Sequence, residues 1–250
     1  MRNMKNKKLK SVLSITGYFL LVIAICFSAS LIFHNFYYEQ IYVSGNSMSP
    51  TLNGAEDEQA GSVVDFGIMD THKSALKNIK RFSIVSTYYP DEIDYNPETG
   101  KLRPGAKQKI KRVIALPGEA FKIEQGKLYV FRNGDFEYIP YTFKTNPSVE
   151  DAYEGKDVAW IKLADNEYWV LGDNRENSRD SGAISKAITK DNLIGVLVAI
   201  EGKAKLKVSN YICYNCGKKY KNSGTCSNCG ADLQAEYGLV NKQYHWVKYF

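Results

Sequence analysis

Three separated stretches of this 250-residue chain carry side chains that could take part in chemistry. Residues 44–52 hold several hydroxyl groups around one glycine and one proline, and a serine in such a turn becomes a nucleophile when a base accepts its proton. Residues 109–118 place lysines in an apolar run, and residues 172–182 form a loop rich in Asp, Asn, Arg and Ser. Each stretch alone also fits an ordinary surface segment, so its meaning depends on the other two.

Taken in order, the stretches resemble the three sequence boxes of type I signal peptidases. Their sequences are GNSMSPTL at 45–52, KRVIALPG at 111–118 and GDNRENSRDS at 172–181. Three boxes in the same order are a more specific signal than any one of them, and the resemblance covers roughly residues 5–202. The glycine-bearing first box and the single apolar segment near the N-terminus are similar to the Gram-positive bacterial branch.

The resemblance implies a role for each of several residues. Ser47 corresponds to the nucleophile and Lys111 to the general base of a serine peptidase with a Ser/Lys dyad. Because Gly45 stands where some relatives carry an oxyanion-hole hydroxyl, the backbone N–H of Ser47 is the main expected oxyanion donor. The supporting positions are Gly45, Ser178, which helps to position the lysine, and the carboxylates Asp173 and Asp180.

A lysine base is chemically reasonable here, because only three histidines are present and none lies in a box. Lysine is protonated at neutral pH, so its pKa must fall by roughly 2–3 units, which burial among apolar groups can produce. On a strand, Lys111 shares a face with Val113 and Ala115, while Lys109 is expected to reach solvent. A triad through His72 is the rival arrangement.

The third box departs from the family at its end. Gly182 stands where many relatives have an arginine that pairs with the carboxylate corresponding to Asp180. Arg175 or Arg179 is the expected substitute for that arginine.

Short apolar runs separated by turn signals predict an all-β domain, either a barrel or packed sheets. The predicted strands are residues 41–43, 82–89, 109–116, 121–123, 127–131, 167–171 and 193–201, with a short helix at 74–79. Gln125-Gly126 and Asn133-Gly134 are expected to close hairpins. The tyrosines at 37, 38 and 42 and the region of Met48 are expected either at the lipid surface or in ordinary core packing.

An uncharged apolar segment at 11–33 follows a basic segment at 1–10. Its length suits one transmembrane helix, and the preceding basic residues favour a cytoplasmic N-terminus with the catalytic domain outside the plasma membrane. The alternative is a cleaved secretory signal that ends at Ser28-Ala29-Ser30, but the apolar run continues past that site. Five of the six net positive charges lie in the first ten residues, so the charge gives no sign of a nucleic-acid partner.

Four of the five cysteines form a separate motif near the C-terminus, while Cys26 lies in the apolar segment as a small hydrophobe. The motif consists of two C-x-x-C-G knuckles with nine residues between them: Cys213, Cys216, Cys226 and Cys229. Four thiolates at this spacing favour tetrahedral zinc in a ribbon with a structural or partner-binding role. Disulfide pairing is the alternative, because the expected location is outside the cytoplasm.

The sequence therefore predicts a mainly β protein: a signal-peptidase-like β-barrel or packed-sheet domain, one N-terminal transmembrane helix and a small C-terminal zinc ribbon. The predicted divisions are 1–10, 11–33, a catalytic domain at 36–207, the ribbon at 208–235 and a tail at 236–250. The implied function is a membrane-bound serine endopeptidase that removes signal peptides from exported pre-proteins at the lipid bilayer, without a catalytic cofactor. The alternatives are a specialised processing peptidase with few substrates, and a catalytically silent membrane protein whose ribbon binds a partner.

Overall fold

The structure is a computed structural model that describes residues 16–30, 37–55, 59–91, 93–140 and 157–248. It divides into two compact units, Met1–Glu39 and Gln40–Phe250. In the first unit, residues 16–30 form helix α1, and its side chains are exposed. Among the described residues, no helix has both the length and the apolar character needed to cross a membrane. The predicted basic segment 1–10 and both ends of the predicted span 11–33 lie outside the described residues.

The rest of the chain is built mainly from strands, which confirms the mainly β prediction. The helical pieces are short: α2 (Lys73–Lys77), α3 (Ser181–Ile184) and a 3-10 turn at Lys190–Asn192. The strands are β1 (Tyr38–Tyr42), β2 (Val63–Asp70), β3 (Ile84–Thr87), β4 (Lys109–Ala115), β5 (Ala120–Glu124), β6 (Lys127–Arg132), β7 (Asp135–Ile139), β8 (Val158–Lys162), β9 (Glu167–Leu171), β10 (Ile188–Thr189), β11 (Leu193–Cys213), β12 (Lys219–Tyr220) and β13 (Leu233–Lys248).

The large sheet has the strand order β1-β2-β11-β3-β4-β9-β10, and β12 and β13 also pair with β11. Strand β11 lies between β2 and β3 and is antiparallel to both. Strand β4 lies between β3 and β9, with Lys111 opposite Val85 and Arg112 opposite Leu171. Strand β3 pairs with residues 109–112 of β4 and β9 pairs with residues 112–115, and residues 111–115 are buried.

The second sheet has the order β7-β6-β5-β8. Gln125 and Gly126 have φ of 51° and 71°, and Asn133 and Gly134 have φ of 52° and 90°, so both two-residue turns use the left-handed backbone that tight hairpins require. Both predicted hairpins are confirmed. A buried cluster joins this sheet to the strands that carry the site. Its members include Ile114, Ala115, Phe121, Ile123, Leu128, Val130, Trp169 and Leu171.

Several parts of the chain differ from the predicted elements, and β8 (Val158–Lys162) is one strand that was not predicted. Strand β2 was not predicted, because Asp65 and Gly67 interrupt its apolar alternation and the strand is buried along most of its length. Strand β11 continues beyond the predicted range 193–201 and ends at Cys213, so it crosses the predicted domain boundary at residue 207. Strand β13 pairs along it from Leu233 to Lys248, so the predicted tail is largely strand. The division into catalytic domain, ribbon and tail stays a prediction.

Candidate active site

The segment that carries Ser47 is clamped at both ends by one residue of β2. The Asp65 carbonyl accepts a hydrogen bond from Val43 N–H at 2.8 Å, and Asp65 N–H donates to the Asn53 carbonyl at 2.8 Å. The Asp65 carboxylate also accepts from Asn53 N–H at 2.7 Å. This buried aspartate lies in β2, which was not predicted; the apolar residues Val63, Val64 and Phe66 on either side of Asp65 were the only local signal for a buried strand there.

Apolar side chains fix the turn itself. Met48 is 1% exposed and Leu52 is fully buried, and both pack with Met69 and Ile84 in one core cluster. Of the two environments expected for Met48, core packing is therefore the one observed. With its neighbour anchored in this way, Ser47 stays half-buried beside an open cavity.

Lys111 reaches this serine from the middle of β4. Its Nζ donates to Ser47 Oγ at 2.7 Å and to the Ile110 carbonyl at 2.9 Å, and the residue is 3% exposed. Burial lowers the pKa of Lys111 from 10.5 to about 8; Asp180 opposes this shift and Lys109 adds to it. A substantial fraction of the amine is therefore neutral at mildly alkaline pH, as a general base requires.

Lys109 does not extend freely into solvent as expected. Its side chain is 22% exposed, and its Nζ pairs with the buried carboxylate of Asp94. The same carboxylate accepts a hydrogen bond from Tyr89 N–H at 2.7 Å. A second cation is thereby held close enough to Lys111 to lower the pKa of its amine.

The third box packs tightly against the serine. Asn174 N–H donates to the Ser47 carbonyl at 3.0 Å, and the Asn174 side chain donates to the Asn46 carbonyl at 3.3 Å. A Cβ at Gly172 would lie 2.2 Å from Ser178 Oγ and 2.4 Å from the Ser47 carbonyl oxygen, so only glycine fits. Ser178 Oγ is buried there and has no hydrogen-bond partner among the described residues. The hydrogen bond to Lys111 expected from the resemblance is thus not formed in this structure.

The two carboxylates of the third box are fully desolvated and satisfied in different ways. Asp180 accepts from the N–H groups of Gly172 at 3.0 Å, Gly182 at 3.1 Å and Ala183 at 3.3 Å. Asp173 forms a bidentate pair with Arg112, with N–O distances of 2.8 Å and 2.5 Å. Both carboxylates raise the pKa of Lys111 and so partly offset the lowering that burial causes.

Arg112 is a supporting residue that was not predicted from the sequence. It is 5% exposed, and it also donates to the Phe82 carbonyl at 2.8 Å. Its position next to Lys111 puts it on the opposite face of β4, and a buried arginine needs an acidic partner. That requirement was the available signal for its pairing with Asp173.

The two arginines of the third box contact other groups, and their predicted role beside Asp180 stays a prediction. Arg179 pairs with Asp91 at 2.6 Å, and Arg175 donates to the Gly172 carbonyl and lies 3.9 Å from an Asp173 oxygen. The Asp180 carboxylate itself accepts hydrogen bonds from backbone N–H groups at the start of α3.

A cavity of about 240 Å³ opens beside Ser47 and Lys111. One wall is formed by residues 42–44 at the end of β1, and the other by residues 107–110 at the start of β4. Gly45 follows the first wall with φ of +73°, and nothing lies within 4 Å of the position its Cβ would occupy. The side-chain face of Gly45 is therefore open, while its carbonyl oxygen packs against Gly54, where a Cβ would lie 1.9 Å from it.

His72 lies at the start of α2, where its ring nitrogen accepts a hydrogen bond from Ser74 N–H at 3.1 Å. It caps that helix. The base that touches Ser47 is Lys111.

The four C-terminal cysteines converge at the end of the β11–β13 hairpin. Their sulfur atoms all lie within 4.8 Å of one another, and the Cys213–Cys229 and Cys216–Cys226 sulfur pairs are 3.4 Å and 3.5 Å apart. Four sulfurs around one zinc ion at about 2.3 Å are about 3.8 Å apart, whereas a disulfide needs about 2.05 Å. All four thiols are free, and the group can hold a metal ion.

Comparison with known proteins covers the part of the chain that contains the three boxes. The sequence profile described as signal peptidase, peptidase S26, matches residues 15–200, which end before the cysteine motif. Signal peptidase I T of Bacillus subtilis (strain 168) is 30% identical over 176 residues, which are 69% of this chain and 78% of that protein. Signal peptidase I S of the same strain is 28% identical over 177 residues, with 69% and 82% covered. The crystal structure of a signal peptidase I from Enterococcus faecalis V583 has 24% identity and a TM-score of 0.33, and covers 48% of this chain and 97% of that chain.

Proposed function

The chain belongs to the signal peptidase family, peptidase S26, and we propose that Ser47 and Lys111 are the nucleophile and general base with which it removes signal peptides. The observation that carries this assignment is the 2.7 Å hydrogen bond between Lys111 Nζ and Ser47 Oγ, made by a lysine that is 3% exposed. As a member of this family the protein is a serine endopeptidase, and its Ser/Lys chemistry needs no cofactor.

The reaction follows from that contact. The neutral amine of Lys111 accepts the Ser47 proton as Ser47 Oγ attacks the scissile carbonyl, which gives a tetrahedral intermediate. The intermediate collapses to an acyl-enzyme, and the resulting ammonium group donates its proton to the departing amine of the mature protein. Water then attacks the ester, and Lys111 first accepts the water proton and returns it to Ser47 Oγ.

Supporting groups hold the dyad and the oxyanion. The backbone N–H of Ser47 is the proposed oxyanion donor, and the Asn174 N–H bond to the Ser47 carbonyl fixes the orientation of that peptide segment. Asp173 and Asp180 hold the third box through Arg112 and through backbone N–H groups. The buried Ser178 hydroxyl, placed over Gly172, is the proposed third partner of the amine.

The substrate is an extended pre-protein segment in the cleft beside Ser47. Two chain segments flank the cavity, residues 42–44 and 107–110, and either can hydrogen-bond an added strand. A volume of about 240 Å³ is below the range of roughly 300–1,000 Å³ typical of small-molecule pockets. A cavity of this size suits the small side chains that precede a signal-peptide cleavage site.

The test is cleavage of a pre-protein by matched variants. Ser47→Ala and Lys111→Ala should each abolish cleavage, and His72→Ala should retain nearly full activity because it only caps α2. Turnover by Ser47→Ala, or loss of activity in His72→Ala with an intact fold, would exclude the dyad. Cleavage of a panel of signal peptides separates a general peptidase from a specialised one, and no cleavage of any would indicate a silent protein.

Helix α1 is proposed as the membrane anchor, with the N-terminus in the cytoplasm and the catalytic domain outside. Its large apolar side chains are exposed, with Tyr18 at 70%, Phe19 at 66% and Phe27 at 64%. An apolar surface of that kind requires a lipid or protein partner. Carbonate extraction should leave the protein in the membrane, and external protease should reach the catalytic domain; release by carbonate would contradict the anchor.

A structural zinc ion is proposed for Cys213, Cys216, Cys226 and Cys229. The sulfur spacing supports it, and the zinc would tie the two knuckles together without taking part in hydrolysis. The purified protein should contain one zinc per chain, and its four thiols should react only after chelation. Two disulfides and no metal would reject the zinc site.

A further inference from the structure

The first cysteine knuckle, residues 213–217, contacts the loop at residues 93–108, which leads towards the active site. The Tyr214 hydroxyl donates to the Ile93 carbonyl, and the Tyr214 carbonyl accepts from Gly105 N–H at 3.2 Å. The Arg103 guanidinium lies over the Tyr214 ring, 5.8 Å from its centroid. One tyrosine thus contacts the loop near its beginning and near its end.

The knuckle and the loop approach each other closely at two glycines, Gly105 and Gly217. A Cβ at Gly105 would lie 2.5 Å from Tyr214 Cα, and a Cβ at Gly217 would lie 2.7 Å from Pro104 Cβ. Contacts this short do not occur in folded proteins, so glycine is required on both sides of the interface. The position of the knuckle therefore restricts the path of the loop.

The same loop forms one wall of the cleft. Arg103 N–H donates to the Asp94 carbonyl at 2.7 Å, and the Asp94 side chain pairs with Lys109. Lys107, Gln108 and Lys109 then line the cavity beside the dyad. A displacement of the loop at Tyr214 is thus transmitted over a few residues to the substrate-binding wall.

We propose that the metal-held knuckle positions this cleft wall for the peptide, with Tyr214 as the positioning residue. The proposal rests on the peptidase and zinc assignments made above. Without the metal ion, nothing holds the four cysteine sulfur atoms together. The knuckle then loosens and the loop at 93–108 becomes mobile. Peptide binding weakens, while the Ser47–Lys111 contact, carried by β4 and the clamped turn, remains.

Amide hydrogen exchange of the full-length protein, with and without chelator, tests the structural step. Chelation should speed exchange at Arg103 and Gly105 by fivefold or more, about the effect of losing one hydrogen bond, and zinc should reverse it. Exchange in β5 and β6, which lie in the other sheet, serves as the internal control. Unchanged exchange in the loop after complete metal removal would overturn the proposal, as would a protein whose knuckles are held by disulfides.

Two variants test the functional step without touching a metal ligand or the dyad. Tyr214→Phe removes the hydroxyl and Gly105→Ala forces the backbones apart, so both should raise KM for a peptide substrate about fivefold or more with kcat nearly unchanged. The matched controls are Asn215→Ala, an exposed neighbour in the same knuckle, and Gly238→Ala, whose Cβ would lie 3.9 Å from Ser209 Cβ.

The possible outcomes are distinct. If Tyr214→Phe and Gly105→Ala have the same KM as the parent and the controls, the positioning role of Tyr214 is wrong. If Ser47→Ala still cleaves, the dyad assignment fails, but the exchange result stands by itself. If the variants lower kcat and leave KM unchanged, the knuckle acts on the chemistry and the proposed effect on peptide binding is refuted.

Discussion

Replacing Lys111 with methionine should abolish cleavage and, below pH 8, make the folded protein more stable. Burial lowers the pKa of this lysine from 10.5 to about 8. Each pKa unit corresponds to about 1.4 kcal/mol, so keeping the buried ammonium charged costs about 3 kcal/mol. Methionine has a similar unbranched shape and carries no such cost.

The sign of the pH dependence follows from proton binding. Below pH 8, Lys111 is protonated in both the folded and the unfolded state, and the cost is present in full. Between about 8 and 10.5 the folded protein has lost the proton and the unfolded chain retains it, so the stability of the parent rises with pH. The advantage of Lys111→Met should therefore fall from about 3 kcal/mol at pH 7 to about 1 kcal/mol at pH 10.

Urea unfolding of parent and variant at pH 7, 8, 9 and 10 measures this difference. The hydrogen bonds of Lys111 and the altered packing add an offset that does not depend on pH, so the slope carries the test. Lys203→Met, at an exposed position on β11, is the matched control and should show no comparable slope. A Lys111→Met difference that stays constant or grows with pH would refute the assignment of a desolvated lysine.

The remaining predictions concern neighbours of the dyad. The pH profile of kcat/KM should rise with a midpoint near 8, and Lys109→Gln should move that midpoint upward, because it removes a cation that lowers the pKa of Lys111. Lys109→Arg keeps the cation and should leave the midpoint in place. A downward shift in Lys109→Gln would contradict the electrostatics. Gly172→Ala should lower kcat/KM about a hundredfold, because its Cβ would lie 2.4 Å from the carbonyl oxygen of the nucleophile, whereas Gly238→Ala should not; equal activities would show that the third box can move. Arg112→Gln should destabilise the protein by about 3–5 kcal/mol in urea unfolding, because it leaves the buried Asp173 carboxylate without its charged partner. Adding Asp173→Asn should recover part of that loss. Purely additive losses in the double variant would argue against the pair.

Local patterns predicted the parts of the fold that local chemistry determines. The hairpin turns at Gln125-Gly126 and Asn133-Gly134 are examples, because residue pairs that readily adopt a left-handed backbone can be recognised from the sequence. The family resemblance was confirmed by the profile and by the Bacillus relatives, and the structure brings Ser47 and Lys111 into contact. The burial predicted for Lys111 from its apolar strand neighbours is also observed.

Partners distant in sequence were not predicted. Asp65 clamps the serine turn from a strand whose own polar residue concealed it, and no local signal connects it to Asn53. Arg112 and Asp173 are 61 residues apart, so their pairing depends on the β4–β9 alignment. The length of β11 was underestimated although a local signal was present: Lys203, Lys205 and Lys207 alternate with the buried Ala204 and Leu206, as in a half-buried strand. Only its pairing with β13 lay beyond local sequence patterns.

The central position of β11 has a consequence for how the enzyme comes into existence. The serine turn is attached to β2 and the lysine to β4, and β11 lies between β2 and β3 in the sheet. The two halves of the dyad are therefore joined through a strand that begins only at residue 193. Pairings between such distant segments form late in folding. We therefore expect that a chain still emerging from the ribosome cannot bring the proposed nucleophile and base together until β11 has been synthesised.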